Sequence, residues 1–387
     1  IRASTMSAAG STIAILAWYA FNGVFNVDNK RLLNEFSFPW ILSWVQLATG
    51  ILICVPAWLL QLRRAPVITP AVLWRFVPLA FLHASGHALQ VAGIGAGSVY
   101  FGTVIKATEP LIGTLIALLV EGKVAPWYVN LTFLPIVGGV AYAAAKPGAG
   151  TDLSELLSFA ALAAFSSTVF FAVAKLLAKR IMTEMEVSHN LDAVNTYSFL
   201  TCVSATLLLL PSFYAEGPAA LTALQSAPDG GQRLMARMLL CGFYYFAYNE
   251  CGFRVLDAFG PVSQAVANSA KRVVILFFAV FFLGEEASSR KLVGAAVAIA
   301  GVTGYSLAKL YADKQAKAKK AAPPSFSRSQ LQMMAGGVLM AVAAYWLLGT
   351  LNEAPQPPPA PCTWDWKAFR CSAGCKMAGL PGQCKHL

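Results

Sequence analysis

Two adjacent cations, Lys271 and Arg272, interrupt a long apolar segment of the sequence, NSAKRVVILFF (268–278). No acidic residue lies within one helical turn of either, so the sequence predicts two cations without a local counter-charge. A guanidinium offers a fork of donors to phosphate oxygens, and an ammonium offers a point charge. The pair therefore indicates a site for a dianion such as a phosphate group. The alternative is a span boundary, at which both side chains would reach lipid headgroups.

A third cation, Lys106, lies in another apolar segment, three residues before Glu109. Side chains three positions apart share a helix face, so this pair is compatible with a structural ion pair as well as with a ligand site. An ionisable group inside a membrane is costly unless it is paired or faces water, and by default it marks a functional pathway. Lys106 is therefore a candidate ligand for the same anion.

Two histidines and a tyrosine are further candidates. His83 and His87 lie four residues apart on one helix face, a spacing that also suits a metal ion, but no acid or cysteine accompanies them, so we expect no metal there. Tyr248 lies in a helix that must approach Lys271 in a compact bundle, although aromatic clusters are also typical of packing. No nucleophile, base and orienting group occur together, so we expect neither an enzyme nor a cofactor.

The scaffold for these residues is a series of long apolar segments. Of the 387 residues, 57% are hydrophobic and 12% are charged, about half the charged fraction of an ordinary soluble domain. The net charge of +11 is not accompanied by a base-reading motif, so we expect no nucleic-acid partner. Apolar blocks of roughly 20 residues match the length of a helix that crosses a lipid bilayer. We predict eleven spans, at 8–27, 39–60, 73–93, 99–120, 126–145, 156–177, 195–213, 238–256, 262–283, 292–310 and 331–350.

An internal repeat relates the first five spans to the next five. Two triplets have the same internal spacing and lie 163 residues apart: Ile136, Gly138 and Tyr142, and Ile299, Gly301 and Tyr305. The same shift brings Lys106 to within two positions of Lys271. Because five is an odd number, the halves must cross the membrane in opposite senses. We therefore predict an all-α polytopic membrane protein, a ten-helix inverted-repeat bundle of five plus five helices with an eleventh transmembrane helix.

The expected domain organisation follows from these spans: residues 1–148 and 149–312 form the two repeats, 313–330 a basic linker, 331–351 the extra helix and 352–387 a Pro-rich linker with a Cys-rich tail. The tail contains Cys362, Cys371, Cys375 and Cys384. Their spacing fits two disulfides or a zinc site, and we favour disulfides because zinc ligands usually lie two to four residues apart. Since the sequence starts at Ile1 and not at Met, we expect that a targeting segment preceded it.

Several strings of the sequence resemble the plastid phosphate translocators of the drug/metabolite transporter superfamily. The resemblance covers about residues 17 to 310 and includes FNVDNKRLLNEFSFPW (25–40), HASGHA (83–88), VIKATEP (104–110), YYFAYN (244–249) and GPVSQAVANSAKRVVI (260–275). It implies ten spans in two inverted halves, an occluded central site, and strict exchange of a phosphorylated metabolite for phosphate by alternating access. It also implies that Lys106, Lys271 and Arg272 bind the phosphate, with Tyr248 and His87 as further site residues.

The chain departs from the family pattern at two places in the implied site. Gln90 stands where the family has a Ser or Thr, and Ala174 followed by Lys175 stands where the family has an arginine that helps to recognise the far end of the substrate. Gln90 can still donate to an oxyanion, and Lys175 can supply a charge from a different angle. The departures therefore leave the identity of the substrate open.

Three functional hypotheses follow. The first is an antiporter of a plastid membrane, with the inner envelope favoured, that exchanges a phosphorylated C3 to C6 metabolite for inorganic phosphate. The second is a carrier of nucleotide sugars or other metabolites in an endomembrane. The third is a structural subunit of a photosynthetic membrane complex, associated with the thylakoid, that binds a protein partner through the eleventh helix and the tail.

Overall fold

A computed structural model describes residues 8–122, 124–144, 158–285 and 288–318, together with four short strands in the tail. Within these ranges the chain forms the following α-helices: α1 (Ala8–Glu35), α2 (Pro39–Leu59), α3 (Pro70–Ala96), α4 (Val99–Ile105), α5 (Glu109–Glu121), α6 (Trp127–Leu131), α7 (Phe133–Ala144), α8 (Phe159–His189), α9 (Ala193–Ser226), α10 (Gln232–Leu283) and α11 (Ser289–Ala318). Two 3₁₀ turns, Lys106–Thr108 and Pro228–Gly231, precede α5 and α10.

The helices include five stretches that are long and apolar enough to cross a membrane: Pro39–Leu59, Val99–Leu119, Phe159–Met182, Ala193–Ser226 and Ser289–Asp313. A shorter apolar stretch covers Trp127–Ala143. The protein is therefore a helical membrane protein, as the sequence predicts. The first ten predicted spans lie in helices, whereas the eleventh, at 331–350, lies outside the described residues. The division into two inverted halves stays a prediction.

Helix α10 is continuous from Gln232 to Leu283 and contains two of the predicted spans, 238–256 and 262–283. A straight helix of its 52 residues would be about 78 Å long, far more than a bilayer requires. The contacts of α1 show that the chain turns back. Along its first arm, Glu35 contacts Arg237 and the Phe25 ring contacts Tyr245, so that arm runs antiparallel to α1.

The second arm of α10 follows α1 in the opposite sense. The Tyr19 hydroxyl donates to the Ala267 carbonyl over 2.7 Å, and the Arg31 guanidinium donates to the Phe282 carbonyl over 2.9 Å. The chain therefore reverses direction between the two arms. The sequence contains Gly260 and Pro261 in this interval, and proline lacks the amide proton that a helix interior requires.

Helices α7 and α11 cross at very short range. A Cβ atom added at Gly139 would lie 2.5 Å from the Ala298 nitrogen, and one added at Gly294 would lie 2.6 Å from the Ala143 nitrogen. Contacts between two backbones cannot relax in the way that a flexible side chain can. Glycine at both positions therefore allows the two backbones to come into close contact. Such packing contributes to helix association in a membrane, where lipid provides no hydrophobic driving force for it.

Substitution at this crossing provides a test of the packing. We expect Gly139→Leu to destabilise the protein by about 2 kcal/mol or more, because overpacking against backbone forces the helices apart. Gly138 is the matched control, since a Cβ added there meets no atom within 4 Å. Thermal unfolding in detergent should therefore occur at a lower temperature in Gly139→Leu and be nearly unchanged in Gly138→Leu. Equal unfolding temperatures of the two variants would show that α7 and α11 do not pack closely at Gly139.

The tail contains two antiparallel strand pairs, β1 (Trp364–Asp365) with β2 (Arg370–Cys371) and β3 (Cys375–Met377) with β4 (Cys384–His386). Only the backbone of these strands is described. Cys362 lies outside the described residues, so the choice between two disulfides and a zinc site stays open.

Candidate functional site

A cavity of about 220 Å³ lies between α1, α3, α4, α8, α9 and α10. Six of the seven substrate-binding residues predicted from the sequence line it: Lys106, Lys271, Arg272, Tyr248, Gln90 and Lys175. They come from five separate stretches of the chain and meet only when the helices pack. The cavity therefore collects four cations, which a membrane interior tolerates only when they are paired, face water or bind an anion.

A proline determines the local geometry at Lys106. Pro110 has no amide proton, so the Lys106 carbonyl cannot accept the usual bond from four residues along the helix. The Glu109 amide donates to that carbonyl instead, and the segment Lys106–Thr108 becomes a 3₁₀ turn. The tighter turn changes the direction in which the side chains of Lys106 and Glu109 leave the backbone. The sequence VIKATEP thus encodes a break in the fourth span at its charged residues.

Glu109 is the counter-charge that the sequence did not reveal. Its Oε2 atom accepts from Arg272 Nη2 over 2.9 Å, and its Oε1 atom accepts from the Lys175 ammonium. Arg272 is therefore paired, and its description as a cation without a counter-charge is wrong. The reason is that the partner lies 163 residues away in sequence, where local spacing gives no information. The suspected pair of Glu109 with Lys106 is replaced by this three-residue cluster.

Lys106 and Lys271 form no ion pair with any acidic residue of the described ranges. The Lys271 ammonium lies 4.8 Å from the centre of the Trp18 ring and 5.7 Å from that of Tyr248. The ring faces of aromatic residues attract a cation but do not neutralise it. Two of the four cations in the cavity thus retain an unmet charge, which an anionic ligand can satisfy.

His87 is the predicted site residue that does not line the cavity. It is fully buried, and its ring packs against that of Tyr245 at a tilt of 34°, with 4.1 Å between centroids. Neither ring nitrogen has a hydrogen-bond partner among the described residues. Tyr245 and His83 line the cavity instead. His87 therefore packs behind Tyr245, where it can hold that ring in position.

Polar contacts join the helices at two further places. Arg63, in the loop after α2, donates to Ser198 of α9 over 3.1 Å and to Glu250 of α10 over 2.7 Å. Lys30 of α1 donates to three carbonyls at the end of α3, and Glu285 accepts from the first two amides of α4. Both sets of contacts stabilise the packing of the helices that surround the cavity.

Thr168 and Tyr245 also line the cavity, although neither is among the predicted site residues. Each shares a helix face with a predicted residue, since Thr168 lies seven residues before Lys175 and Tyr245 lies three residues before Tyr248. A neutral side chain in an apolar span gives no local signal of a binding role, so the sequence alone does not single out either residue.

Comparison with known proteins supports a transport function for relatives of this chain. Residues 10–306 match the model of the family described as "Triose-phosphate Transporter family". The chain is 29% identical over 309 residues to the chloroplastic triose phosphate/phosphate translocator of Flaveria pringlei, covering 79% of this chain and 72% of that one. It is 33% identical over 290 residues to the chloroplastic phosphoenolpyruvate/phosphate translocator 1 of Oryza sativa subsp. japonica, covering 75% and 69%.

Proposed function

This chain belongs to the Triose-phosphate Transporter family, and from that premise we propose that it exchanges a phosphorylated C3 to C6 metabolite for inorganic phosphate by alternating access. The observation that carries the proposal is the convergence of Lys106, Lys271 and Arg272 on one cavity. A phosphate dianion can bind the two ammonium groups, which have no acidic partner in the described ranges, and can compete with Glu109 for the guanidinium. The proposal also takes up the inverted arrangement of two five-helix halves, whose interface would contain this cavity.

Obligatory exchange follows from the charge of the empty site. Exposing Lys106 and Lys271 on alternate sides requires an intermediate in which both are shielded from water, and an uncompensated charge is costly there. Bound phosphate supplies the missing negative charge, so the loaded carrier can reorient more readily than the empty one. A ligand shifts the equilibrium between the open states and the shielded intermediate only if it binds them with different affinities. Here the electrostatic attraction of phosphate to the two ammonium groups is strongest in the shielded intermediate, so bound phosphate favours that state.

The size of the cavity bears on the second hypothesis, transport of nucleotide sugars. A volume of about 220 Å³ is below the range of roughly 300 to 1,000 Å³ that encloses drug-sized ligands. Inorganic phosphate and phosphorylated three-carbon compounds are much smaller than a nucleotide sugar. The described geometry thus favours small phosphorylated metabolites. The third hypothesis, a structural subunit, depends on the eleventh span, which lies outside the described residues.

The proposed location is a plastid membrane, with the inner envelope favoured. The relatives named above, which are chloroplastic translocators, support this location. A transporter at this location would move phosphorylated metabolites across the envelope in exchange for phosphate, so neither side would lose phosphate overall.

Uptake by proteoliposomes tests the proposed function. We expect purified protein to take up labelled phosphate rapidly when the vesicles contain unlabelled phosphate, and to take up very little when they contain sulfate or buffer alone. Unlabelled triose phosphate outside should reduce the uptake by competition. Co-purification with a stable set of partners, combined with equal uptake into loaded and empty vesicles, would favour the structural hypothesis over transport.

A further inference from the structure

A chain of three buried hydrogen bonds leads from the cavity into the protein. The Tyr245 hydroxyl lies 3.4 Å from His83 Nε2, His83 Nδ1 lies 3.1 Å from the Ser204 hydroxyl, and that hydroxyl donates to the Ala80 carbonyl over 3.2 Å. The last bond determines the direction of the others. Ser204 has one proton, which it gives to Ala80, so it accepts from His83 Nδ1–H. His83 Nε2 must then accept, and the Tyr245 O–H donates to it.

The direction of these hydrogen bonds determines whether the cavity presents donors or acceptors to a ligand. Tyr245 and His83 both line the cavity, and both are almost completely buried. Because the Tyr245 proton points towards His83, its oxygen can act only as an acceptor towards any other group. Tyr245 is therefore an acceptor there and not a donor.

Thr168 presents a second acceptor from α8. Its hydroxyl donates to the Ala164 carbonyl over 2.7 Å, which uses its one proton. Thr168 lines the cavity and is 3% exposed, and because its one proton is committed, its oxygen can act only as an acceptor towards a ligand. Two hydroxyl groups on α8 and α10 thus offer acceptors whose own protons are already committed to the protein.

The cation on the same helix does not compensate for these acceptors. Lys175 lies two helical turns after Thr168, and its ammonium is bound to Glu109. Glu109 also binds Arg272, so both contacts draw Lys175 towards the cationic residues of α4 and α10. Neither hydrogen-bond partner of His83, Ser204 or Tyr245, is charged. Ala174, next to Lys175 on the cavity surface, offers no polar atom of its side chain.

From these contacts we propose that the cavity selects phosphorylated compounds whose tail is uncharged and hydroxylated over those whose tail is a carboxylate. The inference rests on the proposed function, since it assigns the phosphate to Lys106, Lys271 and Arg272. Hydroxyl groups of the tail donate to Tyr245 and Thr168. A site that is built to bind hydroxyl donors strongly rejects an analogue that lacks them, because its own buried polar groups are then left unpaired.

A carboxylate tail would face costs that a hydroxyl tail avoids. It would meet the lone pairs of Tyr245 and Thr168, which repel it. To gain a donor from Tyr245 it would have to turn the hydroxyl away from His83, and the buried Nε2 atom would lose its partner. To bind Lys175, the tail would have to break the ion pair between Lys175 and Glu109. Glu109 would then keep Arg272 as its remaining cationic partner among the described residues. Gln90 and four asparagines also line the cavity, and because each of these amides can donate or accept, they do not discriminate between the two tails: Asn22, Asn26, Asn249 and Asn268.

Binding to the purified protein in detergent tests this selectivity. Glycerol 3-phosphate and 3-phosphoglycerate are a matched pair, because they share a carbon skeleton and differ in a hydroxymethyl or a carboxylate at the tail. We expect glycerol 3-phosphate to bind at least about tenfold more tightly, measured from the ligand-dependent rise in unfolding temperature. Equal or tighter binding of 3-phosphoglycerate would overturn the inference.

Two substitutions examine the residues involved. Tyr245→Phe and Thr168→Val each remove an acceptor and keep the shape, and each should bring the two dissociation constants several-fold closer together. The controls are Tyr214→Phe and Thr206→Val on α9, since both native side chains are exposed and Thr206 makes the same type of bond to a helix carbonyl as Thr168. If neither cavity variant changed the ratio, the selectivity would come from other residues and the inference would fail.

The binding experiment separates this inference from the proposed function. Tight binding of glycerol 3-phosphate without any exchange in vesicles would refute transport and leave the selectivity standing. Exchange that prefers 3-phosphoglycerate, together with tighter binding of that compound, would refute the selectivity and leave transport standing. Absence of binding by both compounds and by inorganic phosphate would refute both.

Discussion

Exchange of phosphate is expected to fall by at least about 100-fold when either Lys271 or Arg272 is replaced by alanine. Truncating one partner of a buried, hydrogen-bonded charge pair costs roughly 2 to 5 kcal/mol, and about 2.7 kcal/mol corresponds to that factor in rate. Both residues line the cavity, and Lys271 has no acidic partner in the described ranges that its removal would strand. Initial rates of labelled phosphate uptake into phosphate-loaded vesicles measure the effect.

Arg233 provides the control for these substitutions. It lies on the same helix, α10, but its side chain is exposed and lies outside the cavity. We expect Arg233→Ala to exchange at the rate of the unmodified protein. Thermal unfolding of Lys271→Ala should also be nearly unchanged, which would separate loss of the site from loss of the fold. Normal exchange by both Lys271→Ala and Arg272→Ala would remove the phosphate site from this cavity.

Glu109→Gln should destabilise the protein and make it depend on phosphate. Arg272 is 7% exposed at its side chain and loses its carboxylate partner in this variant. Breaking a buried ion pair in this way costs on the order of 3 kcal/mol. Added phosphate can then supply the missing negative charge, so we expect it to raise the unfolding temperature of Glu109→Gln by more than it raises that of the unmodified protein.

A second carboxylate serves as the matched control for this experiment. Glu184 forms an ion pair with Arg75, but both side chains are more than half exposed, and such surface pairs contribute about 0 to 1 kcal/mol. Glu184→Gln should therefore unfold close to the temperature of the unmodified protein and respond to phosphate to the same extent. If Glu109→Gln matched Glu184→Gln in unfolding temperature and in its response to phosphate, Glu109 would not supply the negative charge that phosphate can replace.

Much of the scaffold could be predicted because its signals are local. Apolar blocks of bilayer length predicted helices, and the five stretches long and apolar enough to cross a membrane in the described residues all coincide with such blocks. Lys106, Lys271 and Arg272 were recognisable because charges are rare inside such blocks. The family resemblance, carried by strings such as VIKATEP, is confirmed by the match over residues 10–306.

The partners of these residues could not be predicted in the same way. The pairing of Glu109 with Arg272 joins positions 163 residues apart, which is the offset of the internal repeat. A repeat relates equivalent positions of the two halves, but it does not predict which side chains form an ion pair. The resemblance implies His87 as a site residue, but the side chain is fully buried against Tyr245 and is not among the residues that line the cavity. The hydrogen-bond chain through His83 depends on the proton of Ser204, which becomes relevant only after α3 and α9 have packed together.

The stoichiometry of exchange tests the central claim most directly. Vesicles are loaded with phosphate carrying one label, a phosphorylated three-carbon compound carrying a second label is added outside, and efflux and influx are measured in the same sample. We expect one phosphate to leave for each molecule that enters, and neither flux to occur alone. Influx that proceeds at the same rate from phosphate-free vesicles would contradict this expectation, because the empty site would then reorient with its cations unpaired.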